Sequence, residues 1–228
     1  MRRKKFIRYL GLSTVFAPVV FNAAGTSDYR PAEAECILTP RETKGPFPTK
    51  DPGSLVLQDI RGDRTGVEMT VNITVQDKNN NCSPLPAAMV DIWHCDTNGN
   101  YSEYGGTRMQ PKNLSSEHFL RGRQRTNRDG IASYKTIFPG WYHGRATHIH
   151  VQVFDASGKS LLVTQIAFPG EVCDAVYTTA TKLYPNGRQD TTNERDLIFS
   201  DSLSLQMGSL RGNIKEGFIL DHTLVVNT

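Results

Sequence analysis

The segment Pro139-Gly140-Trp141-Tyr142-His143-Gly144-Arg145-Ala146-Thr147-His148-Ile149-His150-Val151-Gln152-Val153 holds the densest set of side chains able to do chemistry. Strand side chains alternate between faces, so His148 and His150 point one way and Ile149, Val151 and Val153 the other, into a core. Two imidazoles one strand step apart can share a metal ion. Tyr142, six residues before His148 on a Pro-Gly turn, is free to aim at the same point. A second turn carries Gly99-Asn100-Tyr101, with Tyr104 three residues on as a competitor for Tyr101's place. Phenolate is a hard, strongly donating anion that suits a trivalent metal. Two tyrosines and two histidines make a neutralising set for Fe(III), unlike the nitrogen, sulfur and carboxylate sets of zinc or calcium.

Positioning these groups calls for strands and turns. Val67, Met69, Val71, Ile73 and Val75 alternate with polar residues and predict a half-buried strand. Further strands are expected over Met89–His94, Ile131–Phe138, Thr147–Asp155, Leu161–Phe168 and Phe218–Val226. Asp77–Asn81, Asp96–Asn100 and Asn127–Gly130 are turn signals, and Ala156–Lys159 reads as a hairpin loop. Short strands with regular turns predict an all-β sandwich with little helix. Ser102–Thr126 and Gly170–Gln206 read as long loops draped over it. No internal repeat or low-complexity tract is present.

At 228 residues, with 38% hydrophobic residues and 19 glycines, the chain fits one loop-rich domain. The net charge of +3 comes from Arg2, Arg3, Lys4, Lys5 and Arg8. Without them the chain is slightly acidic, so charge gives no reason to expect a nucleic-acid partner. The basic start, the apolar run Leu10–Phe21 and the small residues Ala23, Ala24 and Gly25 read as a signal peptide over 1–25, leaving 26–228 as the domain. The apolar run is shorter than a spanning helix. Membrane contact is therefore expected only if this segment stays uncleaved. Arg3-Lys4-Lys5-Phe6-Ile7-Arg8 resembles a twin-arginine signal with one arginine replaced, which suits export of a folded metalloprotein to the periplasm or beyond. Cys36, Cys82, Cys95 and Cys173 include no C-x-x-C pair. Export makes one or two disulfides reasonable, the pairing is open, and Cys95 beside an apolar strand also reads as a buried free thiol.

A wider set of segments carries a family resemblance. Thr39-Pro40, Gly45-Pro46-Phe47, Val90-Asp91-Ile92-Trp93-His94, Gly99-Asn100-Tyr101 and Phe119-Leu120-Arg121-Gly122 come first. Thr126 with Asp129-Gly130, Thr136 through Tyr142, Gly144-Arg145, His148-Ile149-His150 and Thr164-Gln165 follow in order. In these the chain resembles the intradiol ring-cleavage dioxygenases, notably the protocatechuate 3,4-dioxygenase β-subunit and exported relatives. The resemblance implies a β-sandwich and a non-haem Fe(III) held by Tyr101, Tyr142, His148 and His150. It implies that a catecholic aromatic and O2 react to give a cis,cis-muconate-type diacid. Tyr142 matches the tyrosine that leaves the iron and acts as internal base. Arg145 matches a group that steadies negative charge, Gln165 an amide behind the ligands, and Gly45-Pro46 a pocket lining.

Lys44 departs from the residue usual before Gly-Pro and reads as a solvated loop lysine, or as a selector of anionic substrates. The helical N-terminal segment of catechol 1,2-dioxygenases has no counterpart here, which disfavours that subgroup. Residues 170–228 match weakly. His94, His118, His143 and His222 read as structural or exposed, and Arg121 as a loop-fixing structural residue. The catechol itself is open between protocatechuate, catechol, hydroxyquinol and larger lignin-derived compounds. A chain with all four ligands is expected to work alone or as a homo-oligomer. The competing reading is a secreted β-sandwich binding or adhesion module without catalysis. Fold alone does not separate the two, but a binding module has no reason to keep two tyrosines, two histidines, Arg145 and Gln165 together.

Overall fold

A computed structural model describes residues 36–228. The expected signal peptide over 1–25 lies outside the described residues. Within them no helix is long and apolar enough to cross a membrane. In chain order the strands are β1 (Glu68–Asp77), β2 (Ser83–Pro84), β3 (Met89–Trp93), β4 (Arg121–Arg125), β5 (Ile131–Ile137), β6 (His148–Phe154), β7 (Ser160–Ala167), β8 (Ser209–Asn213) and β9 (Gly217–Val226). The helices are α1 (Gly170–Thr179) and α2 (Leu203–Gln206).

The strands form the two layers of an all-β sandwich. In the first sheet β1 pairs antiparallel with β2 and β5 and parallel with β9, and β9 pairs with β8. The second sheet runs β4-β3-β6-β7, each pair antiparallel. Alternation places Met69, Val71, Ile73 and Val75 of β1 against Val90 and Ile92 of β3, Ile149, Val151 and Val153 of β6, and Leu162 and Ile166 of β7. Each such side chain stabilises the fold by about 1.5–3 kcal/mol on burial. Tyr134 of β5 crosses the interface and donates its hydroxyl to the Val90 carbonyl at 2.7 Å.

Core-facing parity on the second sheet leaves a polar row on its outer face. The registers Trp93↔Arg121, Trp93↔His150 and His150↔Gln165 set Arg121, Trp93, His150 and Gln165 side by side across all four strands. An irregular segment over residues 39–49 covers this face. It is tied down by Thr39 N donating to Val225 O at 3.0 Å and Glu42 N to Val163 O at 2.8 Å. At the opposite edge Arg123 N donates to Leu55 O at 2.8 Å. Both edges of this sheet are thus covered, which protects them from pairing with another chain.

The expected strands are present, their ends displaced by no more than one or two residues. Two of the expected long loops contain regular structure. Arg121-Gly122-Arg123-Gln124-Arg125 forms β4 because pairing with β3 satisfies its backbone, although it shows no apolar alternation. Gly170–Thr179 folds as α1 by burying Cys173, Val176 and Tyr177, which share a face at helical spacing. Cys36 is bonded to Cys82 across a Cα separation of 5.9 Å. Cys95 and Cys173 are free and buried, and burial pushes the Cys173 thiol up to about 12.

His94 joins the layers. Its Nε2 lies 2.7 Å from Thr136 Oγ1 of β5 and its Nδ1 2.9 Å from the Cys95 carbonyl. Burial lowers its pKa to about 4 from 6.5, so between those values the unfolded chain binds the extra proton and stability falls as pH falls. A shift of that size corresponds to about 3 kcal/mol. Urea midpoints of wild type and His94→Gln, measured from pH 7 to pH 4, are expected to show a shallower pH slope in the variant by about one proton. Equal slopes would contradict this account of His94.

Candidate metal centre

The site forms where two turns meet the outer face of the second sheet. After β3, Asp96 Oδ1 accepts from Asn98 N and Asn100 N, both at 2.9 Å, which folds the turn that delivers Tyr101. After β5, Pro139-Gly140 starts the turn that delivers Tyr142. A Cβ on Gly99 would collide with the Trp141 carbonyl, and one on Gly140 with the Asp96 carbonyl. The two turns pack backbone to backbone only because both positions are glycine, and Gly99 also needs its φ of +82°.

That packing brings Tyr101 and Tyr142 together, ring centroids 5.7 Å apart and edge to face. His148 Nε2 lies 3.1 Å from His150 Nε2 and 3.4 Å from Tyr101 Oη. Tyr142 meets the His148 ring edge-on at 5.5 Å, and Arg145 Nη1 donates to its Oη at 3.4 Å. Arg145 Nη2 donates to Gln165 Oε1 at 2.6 Å, and Gln165 Nε2 to Thr43 O at 3.0 Å. All six side chains singled out in the sequence therefore converge. Gly45 joins them: a Cβ there would strike the His150 ring. Its neighbour Pro46 is exposed, as is Lys44.

The donor set has a definite electronic character. His148 Nδ1 lies 2.6 Å from the Ala146 carbonyl, so it must carry the proton, and Nε2 presents a lone pair to the other donors. The His150 ring stacks on Trp93, 4.9 Å between centroids and 2° from parallel, while its buried Nδ1 has no partner among the described residues. Burial holds both histidines well below their usual pKa. Burial likewise raises Tyr101 far above 10, and raises Tyr142 against the pull of Arg145. His150 Nε2 and Tyr101 Oη crowd the single lone pair of His148 Nε2, which can accept from only one of them. The other goes unsatisfied at about 1–3 kcal/mol, and a cation among them would offset that cost. Among the described residues no three His, Cys, Asp or Glu side chains gather around one point. An ion held here therefore depends on the phenols as well as the imidazoles, a set that fits a hard trivalent metal.

Other sequence candidates stay outside. Tyr104 donates its hydroxyl to Pro48 O at 2.6 Å and is occupied there. The His143 side chain is 97% exposed and contacts Asp190. Arg121 is the expected structural residue. Fully buried, it donates to Ser102 Oγ at 2.9 Å, Ser102 O at 2.6 Å and Phe47 O at 2.9 Å, with Glu103 at 3.6 Å. It thereby joins the Tyr101 loop to Phe47, which stacks on Tyr101 at 4.8 Å.

Sequence reading missed three supports. Gln110 holds the Tyr101 backbone, accepting from its N at 2.7 Å and donating to its O at 2.8 Å. Gln189 and Asp196 brace the turn from Gly144 to Thr147. Polar residues in irregular segments carry no periodic signal, so only the fold reveals these partners.

A family model described as dioxygenase matches residues 47–200. A chlorocatechol 1,2-dioxygenase of Rhodococcus opacus is 28% identical over 55% of this chain and 52% of its own length. The chain spans about half the length of the curated relatives it matches. The solved intradiol ring-cleavage dioxygenase from Tetranychus urticae is 28% identical over 84% of this chain and 95% of its own, with a TM-score of 0.72. The dioxygenase domain of a dioxygenase–carbohydrate-binding fusion from Streptomyces sp. SirexAA-E is 26% identical over 84% and 99%, with a TM-score of 0.61.

Replacing Arg121 with methionine leaves the Glu103 carboxylate buried without its arginine. The variant is expected to lose about 3–5 kcal/mol of stability and, with both the Tyr101 loop and Phe47 released, to bind less metal per chain. Urea unfolding and metal analysis check this; a wild-type midpoint with full metal would contradict it.

Proposed function

We propose a function on this premise: the chain belongs to the family of intradiol ring-cleavage dioxygenases. It is a non-haem Fe(III) enzyme that cleaves a catecholic aromatic between its hydroxyl-bearing carbons with O2, giving a cis,cis-muconate-type diacid. The observation that carries this is the convergence of His150 Nε2 and Tyr101 Oη on His148 Nε2, at 3.1 and 3.4 Å, with Tyr142 Oη on Arg145 beside them. Tyr101, Tyr142, His148 and His150 would hold the metal. Iron held there would supply Lewis acidity toward a catecholate and so activate its ring toward O2.

The remaining chemistry belongs to the chain. As the phenolate that a bound cation would favour, Tyr142 Oη takes the proton that one catechol hydroxyl sheds on binding and becomes the neutral phenol. Among the described residues its only side-chain hydrogen bond is the long one from Arg145, and its ring is only partly buried where that of Tyr101 is fully buried, so it can turn aside at little cost. The Arg145 guanidinium then faces the substrate oxygens as fixed positive charge in a site walled by Phe47 and Trp93, where such charge acts strongly. Gln165 keeps that guanidinium from following Tyr142. His148 and His150 stay neutral because burial disfavours their charged forms, which leaves their Nε2 atoms available as donors.

All four donors come from one chain, so the site needs no partner subunit. The Cys36–Cys82 bond suits an oxidising compartment and agrees with export directed by the N-terminal segment.

Turnover with catechol is expected to consume equimolar O2, with both of its oxygen atoms appearing in the diacid. Absence of O2 uptake in the iron-loaded protein across simple catechols would sink the reading. Tyr142→Phe is expected to keep the fold and lower turnover by about 10²–10⁴-fold, the contribution typical of a positioned base. Full turnover in that variant would remove Tyr142 from its role.

A further inference from the structure

The segment from Gly187 to Asp196 grips the turn that carries Tyr142 almost residue by residue. Trp141 Nε1 donates to Gly187 O at 2.8 Å, His143 Nδ1 meets Asp190 Oδ2 at 2.5 Å, and Gly144 N donates to Asp190 Oδ1 at 3.2 Å. Ala146 N donates to Asp196 Oδ2 at 2.8 Å and Thr147 N to Gln189 Oε1 at 3.0 Å. Arg145 donates Nε to both oxygens of Asp196, at 3.0 and 2.8 Å. Tyr142 makes no hydrogen bond to this segment. The turn is thus fixed on both sides of the one residue that has to move.

Asp196 is the buried centre of that grip, with 1% of its side chain exposed. Its Oδ1 also accepts from Ile198 N at 3.0 Å. Every partner of either oxygen is a donor, so the site requires an acceptor at both positions. The guanidinium is consequently held at two of its three nitrogens, Nε by Asp196 and Nη2 by Gln165. Among the described residues Nη1 keeps only its 3.4 Å contact to Tyr142 Oη.

We propose that Asp196 is a positioning residue for ring cleavage. By fixing the Nε edge of Arg145 it aims Nη1 at the place Tyr142 vacates, where the oxygens of a bound catechol carry negative charge. This rests on the role given to Arg145 in the proposed function. Asp196 touches neither substrate nor metal.

Asp196→Asn tests this, because an amide must set its NH2 against Arg145 Nε together with either Ile198 N or Ala146 N, and it removes the charge. The variant is expected to keep iron per chain, its visible colour and the colour change on anaerobic addition of catechol. Its kcat per bound iron is expected to fall by about 10–100-fold, the scale of a misplacement near 1 Å, with a smaller change in KM. A kcat per bound iron within about twofold of wild type would overturn the proposal. So would a loss of turnover that merely follows a loss of iron, since Asp196 would then be scaffold alone. A crystal structure of the variant supplies a readout that needs no metal: Arg145 Nη2 should leave hydrogen-bond distance of Gln165 Oε1, and an unmoved guanidinium would count against the proposal. A wild-type protein unable to bind iron would defeat the functional reading instead, with the placement of Arg145 still readable in that crystal structure.

Discussion

Backbone-to-backbone packing of two turns is the constraint on which the site depends. Tyr101 and Tyr142 come from loops after different strands, β3 in one sheet and β5 in the other. They meet because Gly99 lies against the Trp141 carbonyl and Gly140 against the Asp96 carbonyl, where no side chain fits. A methyl group at either glycine would push the turns apart and carry one phenol away from the imidazoles. The sandwich supplies the fixed ends: β3 and β5 are held by the shared core, and His94 and Tyr134 bond across it.

Burial then gives these groups their chemistry. The tyrosines and histidines lie among Phe47, Trp93 and Cys95, where charge is poorly solvated. Without a cation the phenols keep their protons and the imidazoles stay neutral. With one, phenolate becomes the favoured form. The surrounding polar groups are arranged to hold rather than to ligate. Arg121 and Gln110 fix the Tyr101 loop, Gln165 and Asp196 fix Arg145, and the Ala146 carbonyl fixes the tautomer of His148. Tyr101 is fully buried against Phe47, whereas Tyr142 is only partly buried, so in the proposed function Tyr142 is the phenol better placed to yield to a substrate.

Much of this was legible in the sequence because strand alternation is a two-residue rule. His-x-His on an apolar strand placed both imidazoles on one face, and parity along β1 and β6 located the core. The six side chains gathered at the site all lay in segments with strong turn or strand signals. What stayed hidden depends on tertiary partners. β4 has no apolar period and exists through its pairing with β3. Gln110, Gln189 and Asp196 are polar residues in irregular segments, Gln110 placed by a non-repeating loop around Tyr101 and the other two by contacts distant in sequence. The disulfide needed the fold as well, since spacing alone left three pairings open. The helical face Cys173, Val176 and Tyr177 of α1, spaced by three and four residues, carries a helical signal within the expected loop Gly170–Gln206.

The most direct test of the account is the visible spectrum of the purified chain, recorded with an iron assay before and after anaerobic addition of catechol. Stoichiometric iron is predicted, with a tyrosinate-to-Fe(III) charge-transfer band that shifts when catechol binds. A chain that stays colourless after iron loading would contradict the claim that two tyrosines and two histidines hold the metal. The packed turns would then belong to a binding module and not to an oxygenase.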